Sequence, residues 1–340
     1  MTRFAAVAVL AASVPSFGQP TAAGEANQAL ELARQSKYEQ AITHYEAAIR
    51  IDPRMPGLYL NFGLALFKLD RMEEAASAFE NAVKADPNSF QARVLLGMSY
   101  FGARKFPAAA AALKPAVERQ PDNVELRYKL AQSYLWSREY PAAMEQFKVL
   151  LAKDPDSAPV HMLLGEVLDA ASRTGEATAE FEAAAKSAPG EPEVHFGLGY
   201  LYWKQKRYED ARREFLAELK TQPKHTQARL YLGDAEMQTG DSAGAERHLR
   251  AALELDPNLR LAHLDLGIIG AQSDPQTAVK HFREAIRIDP SRPDAHYRLG
   301  RLWLSLGRQA DADAEFARVK ELAANEKPEP LVNVSKGPPK

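Results

Sequence analysis

Histidine is the side chain in this sequence best able to do chemistry near neutral pH, and its eight copies are not scattered. His161 and His195 lie 34 residues apart, His263 follows 68 residues later, and His296 follows after 33 more. Imidazoles repeated at a fixed interval could ligate a transition metal or serve as general bases. Arg93, Arg127 and Arg229 hold the same phase in sibling segments, however, and arginine is no metal ligand. No carboxylate or third histidine stands at helical spacing to complete a ligand set. The series therefore reads as a tolerant, half-exposed packing position. His44, His248 and His281 share a second phase and read as surface residues. No metal and no cofactor is expected.

Other catalytic chemistries lack their residues. With no cysteine, disulfide frameworks, thiolate zinc sites, iron–sulfur clusters and cysteine nucleophiles are excluded. There is no Gly-rich phosphate loop, no HExxH and no serine on a nucleophile turn. The expectation is a protein without a catalytic residue. Forty-three Lys+Arg against 45 Asp+Glu leave a formal charge of −2, which argues against a phosphate-binding surface and hence against nucleic acid.

The elements that carry these residues are set by a period. Prolines recur at Pro53, Pro87, Pro121, Pro155, Pro189, Pro223, Pro257 and Pro290, spaced by 34 six times and then by 33. Gly63, Gly97, Gly165, Gly199, Gly233, Gly267 and Gly300 keep the same beat, as do alanines from Ala41 to Ala312. Glycine inside a helix costs about 1 kcal/mol relative to alanine, so close approach of a second helix must compensate. The expectation is that the alanine of the second helix faces it. Asp-Pro at 52–53, 86–87, 154–155, 256–257 and 289–290 ends the second helix, because proline bars the α conformation before it. Asn88, Asp156, Asn258 and Ser291 are then the candidates to cap the next helix. Pro115 falls inside a second helix, where a bend is expected.

A 34-residue unit carrying Leu-Gly, then a bulky residue, Ala-x-x-x-Phe and Pro resembles the tetratricopeptide repeat. Ala75 to Phe79, Ala143 to Phe147, Ala177 to Phe181, Ala211 to Phe215 and Ala312 to Phe316 carry its second half. The resemblance covers residues 22–326 as nine units. It implies an all-α fold, a right-handed superhelical solenoid of antiparallel helix pairs whose first helices line a concave groove. The groove positions of that family correspond here to Leu60, Leu64, Phe67, Met98, Phe101, Tyr128, Trp136, Tyr200, Trp203 and Met237, with Leu135 in the same row. Glu166 and Asp169 interrupt the apolar run as an acidic station. The family's clamp for chaperone carboxylates is missing, since Ala26, Leu30, Gln91 and Leu95 fill four of its five places.

The function expected is thus a non-catalytic scaffold that captures a peptide or helix from another protein. The alternatives are a structural protein that associates with itself and a docking subunit of a separately encoded enzyme. Residues 1–18 carry Arg3, an apolar run from Phe4 to Val14 and small residues Ser16 and Gly18, the pattern of a secretory signal peptide. That predicts a periplasmic or secreted product without an integral membrane span. Residues 327–340, rich in proline, are expected to form a disordered tail.

Overall fold

The computed structural model describes residues 20–325. The expected leader and the expected tail lie outside them. The described residues form eighteen α-helices and no strand: α1 Ala22–Arg34, α2 Tyr38–Ile51, α3 Leu58–Lys68, α4 Met72–Ala85, α5 Phe90–Gly102, α6 Phe106–Arg119, α7 Val124–Trp136, α8 Tyr140–Lys153, α9 Ala158–Ala170, α10 Thr174–Ser187, α11 Val194–Lys204, α12 Tyr208–Thr221, α13 Thr226–Thr239, α14 Ser242–Leu255, α15 Arg260–Gly270, α16 Pro275–Ile288, α17 Pro293–Ser305 and α18 Gln309–Asn325. The chain divides into two compact units, residues 1–133 and 134–340.

Each odd-numbered helix turns back into the even-numbered one through a tight corner with one residue at positive φ. That residue is Ser36, Asp70, Arg104, Arg138, Ser172, Lys206, Gly240 or Gly307. Only two of the eight are glycine, so six corners hold an L-residue in the left-handed region, at a cost of about 1–2 kcal/mol each. The unit one residue short replaces this corner. Asp274 caps α16 there, accepting from the Thr277 amide at 3.2 Å.

The mid-helix glycines make room for the bulky residue of the second helix rather than for its alanine. A Cβ on Gly63 would lie 2.7 Å from the Phe79 ring, and one on Gly165 would lie 2.6 Å from Phe181. Phe79, Phe147, Phe215 and Phe282 are fully buried, as are the framework alanines. In the first unit the core gathers Tyr45, Leu66 and Phe79. In the second, Leu230, Leu249 and Leu266 form one cluster, and Phe282, Leu299 and Trp303 another.

One expectation about the helix ends is corrected. Asn88, Asn258 and Ser291 do not cap the next helix. Their own amides donate to the carboxylates of Asp86, Asp256 and Asp289 at 3.0, 2.9 and 3.0 Å, closing an Asx turn after each second helix. Ser89 and Asn123, each two residues beyond the proline, do the capping in their units. Helix α6 continues through Pro115, which has no N–H to offer the Ala111 carbonyl.

First helices touch directly, α1 on α3 and α11 on α13 on α15, while second helices make no comparable contact with one another. Within each unit the first helices therefore take the shorter, inner arc. No helix among the described residues is long and apolar enough to cross a membrane.

Candidate functional site

The arginines and histidines that share the phase of His161 have a more definite task than tolerant packing. Arg93, Arg127 and Arg229 donate to the carbonyls of Pro87, Pro121 and Pro223 at 2.9, 2.8 and 2.6 Å. His161, His195 and His263 place Nε2 2.8, 3.0 and 3.1 Å from the carbonyls of Pro155, Pro189 and Pro257. Arginine and histidine alternate because each brings an N–H to the proline six residues earlier, tying the inter-unit loop to the helix that follows. The second nitrogen of the histidines clasps the second helix. Nδ1 of His161, His195 and His296 lies 2.6, 2.7 and 2.6 Å from Glu180, Glu214 and Glu315. The first pair runs in reverse, with Glu25 on α1 and His44 on α2 at 2.6 Å. The signal for this clasp was the 19-residue spacing of His and Glu. His44 and His248, read as surface residues, are half-buried and paired, His248 with Glu236 at 2.7 Å.

One group of three potential ligand residues among the described residues has its ligand atoms close enough to hold a metal: Glu193, Glu218 and His225. Its hydrogen bonds assign it another role. Nδ1 of His225 accepts from the Ala228 amide at 3.1 Å, capping α13, which leaves the ring proton on Nε2 facing Glu193 at 3.1 Å. Buried Glu218 accepts from the amides of Glu193 and Phe196 at 3.2 and 3.0 Å and from Gln222. A metal there would require an imidazolate and would displace amide donors, so the group serves to start α11 and α13.

On the inner face of the first unit, Leu60, Leu64 and Phe67 project from α3 with one side packed on the core and the other open. Met98 and Phe101 on α5 and Tyr128 on α7 are likewise half-buried. The Phe101 ring meets the edge of Phe106 at 5.7 Å and carries Lys129 Nζ 4.5 Å above its face. Burial of Lys129 holds its ammonium below the usual lysine range, against a smaller opposing pull from Glu125.

In the second unit the expected row splits. Trp136, Trp203 and Met237 are half-buried. Leu135 and Tyr200 are core residues, 5 % and 8 % exposed, which corrects their placement in the groove. Tyr200 belongs to an aromatic cluster with Phe196, Trp203, Phe215 and Tyr231. Trp203 stacks on Tyr200 at 5.9 Å and meets Tyr231 edge-on at 4.9 Å. The Trp203 indole N–H donates to Asp234. Asp234 lies two periods of 34 residues after Glu166 and could have been named from the same register.

The acidic station is also divided. Asp169 is neutralised by Lys204 at 2.6 Å and accepts from Thr174 at 3.0 Å, so it is a structural ion pair. Glu166 keeps a partly open carboxyl without a hydrogen-bond or ion-pair partner among the described residues. Burial, helped by the nearby charge of Glu193, pushes it up to about 7. Three repeats along, Asp265 is more deeply enclosed. Its Oδ2 has no partner, and burial together with Asp234 pushes it up to about 8.

Models of the tetratricopeptide repeat match residues 27–90, 162–222 and 196–260, and a second version matches 100–167 and 271–330. Among solved structures, the C-terminal part of a TPR repeat-containing protein from Cytophaga hutchinsonii aligns with a TM-score of 0.58 at 15% identity, over 70% of this chain and 98% of its own. YrrB, described as a TPR protein with an unusual peptide-binding site, aligns at 0.46 and 19% identity, over 54% and 95%. MamA aligns at 0.44 and 19%, over 48% and 95%. No curated protein matches the chain.

Proposed function

Because the chain belongs to the tetratricopeptide repeat family, whose members are in general scaffolds for protein–protein interaction, we propose that its inner face captures an apolar segment of a partner protein bearing one lysine or arginine. Glu166 carries this reading. It is a half-open carboxyl on the inner face with no ion-pair partner among the described residues, and an external ammonium or guanidinium would offset the burial that raises it to about 7. The apolar edges of Trp136, Trp203 and Met237 supply hydrophobic contact in the same unit, and Leu60, Leu64, Phe67, Met98 and Phe101 supply it in the other. Preformed helices need little reordering on binding, which limits the entropy cost. In this reading the chain itself catalyses nothing.

The test is fluorescence anisotropy with labelled helical peptides in which leucines at i, i+3, i+4 and i+7 are combined with lysine or with glutamate. The leucine–lysine peptide should bind. Glu166→Lys should weaken it and favour the leucine–glutamate peptide instead; equal binding of both peptides by both proteins would reject the role of Glu166.

Self-association is a second reading, favoured by Tyr297 and Leu304 on α17, each 42 % exposed. Concentration-dependent mass that disappears when both are changed to serine would support it. We also propose that residues 1–18 direct export, to be tested by N-terminal sequencing of protein recovered from the extracytoplasmic fraction.

A further inference from the structure

We propose that His263 and His281 form a binding site for one divalent transition-metal ion of the zinc, nickel or copper class. In three sibling units the helix-pair clasp joins a histidine to a glutamate, and in the first unit the same two residue types exchange places. In the unit built from α15 and α16 both partners are imidazoles, with Nδ1 facing Nδ1 at 3.0 Å. Metal–imidazole bonds of about 2.0–2.1 Å meeting at roughly 90–110° place two nitrogens about 2.9–3.4 Å apart. The rings already have the separation of a chelating pair.

The surroundings prepare the first ligand. His263 Nε2 donates to the Pro257 carbonyl at 3.1 Å, which holds its proton on that nitrogen and turns the Nδ1 lone pair toward His281. His281 shares its single proton with His263 in the empty clasp. On coordination that proton moves to His281 Nε2, which has no hydrogen-bond partner among the described residues, and the charge of the two rings is unchanged.

The groups facing the pair are Glu246 and Arg250 on α14 and Glu284 on α16. Arg250 works against a cation, but Glu246 binds it at 2.5 Å. Glu284 lies three residues after His281 on the same side of the helix and can swing in as a third ligand. It now accepts from Arg287 at 2.7 Å, and Arg287 would keep Asn258 at 3.2 Å if released. Both rings are half-buried and thus leave an approach from solvent. Imidazole donors with at most one carboxylate suit these transition metals and do not suit calcium or magnesium.

The test is calorimetric titration of the tag-free full chain with zinc and nickel chlorides, with calcium as control. One ion per chain should bind, and zinc should raise the thermal unfolding midpoint. His281→Glu, which installs the clasp of the sibling units, and His263→Arg, which keeps the donor to Pro257, should retain the helix content and weaken the ion by at least about tenfold. Wild-type affinity in both variants, or loss of binding only in His225→Gln, would overturn the assignment.

Discussion

Gly63→Ala tests the principle by which each helix pair closes. The added Cβ would lie 2.7, 2.8 and 2.9 Å from three carbons of the Phe79 ring, distances at which something must move. Phe79 is fully buried, and its neighbours Ala75, Ala76, Ala78 and Leu66 are buried with it, so the ring has no free direction. Overpacking of this kind costs about 1–3 kcal/mol. Removing a mid-helix glycine returns about 1 kcal/mol through helix propensity. With the ring unable to shift, the upper part of the packing range applies and a net loss of about 1–2 kcal/mol is expected. Gly175→Ala is the control, because that glycine lies in a helix with nothing within 4 Å of its added Cβ. It should gain about 0.5–1 kcal/mol. Equilibrium urea unfolding followed by helical circular dichroism measures both. A Gly63→Ala protein as stable as wild type would refute close packing as the reason for the glycine series.

Three further outcomes are expected. His161→Arg should leave the unfolding midpoint nearly unchanged, since arginine fills the same role in sibling units, whereas His161→Leu should lose about 1–2 kcal/mol with its bonds to Pro155 and Glu180; equal stability of the two variants would remove the latch. Arg104→Gly should relieve a left-handed corner and raise the melting temperature by the equivalent of about 0.5–1 kcal/mol, while Arg104→Ala should not. Asp265 binds its proton more tightly folded than unfolded, so its contribution is greatest at low pH and is lost as pH rises from about 4 through about 8. Urea midpoints measured across that range should fall less steeply in Asp265→Asn than in wild type, and parallel slopes would contradict the assignment.

Much of the fold was legible because the framework residues act locally. Proline stops a helix, glycine and the residue sixteen positions later pack against each other, and both facts repeat at one period. What was missed depended on which of several chemically capable neighbours takes a bond. Asn88 and Ser89 are both good capping residues, and only the Asx turn onto Asp86 decides that Ser89 caps. The groove row was readable as a register, but not the partition within it. Tyr200 and Trp203 share an apolar face and both meet Tyr231 of the next unit, at 5.3 and 4.9 Å, yet of the two only Tyr200 is buried, at 8 % exposed. Asp169 and Glu166 look alike in sequence, and Lys204, 35 residues beyond Asp169, separates their roles. Identical residue types at one phase hid the histidine clasps, since arginine satisfies the same proline carbonyl.

The central claim is that a partner is held on the inner face, and site-directed photo-crosslinking addresses it most directly. A benzophenone side chain placed at Leu64, Met98 or Met237 on first helices should crosslink to one and the same protein in an extract of the producing cell. The same group placed at Val149 or Leu216, exposed on the second helices α8 and α12, should not. Crosslinks to that protein from the second helices with none from the first would contradict the account.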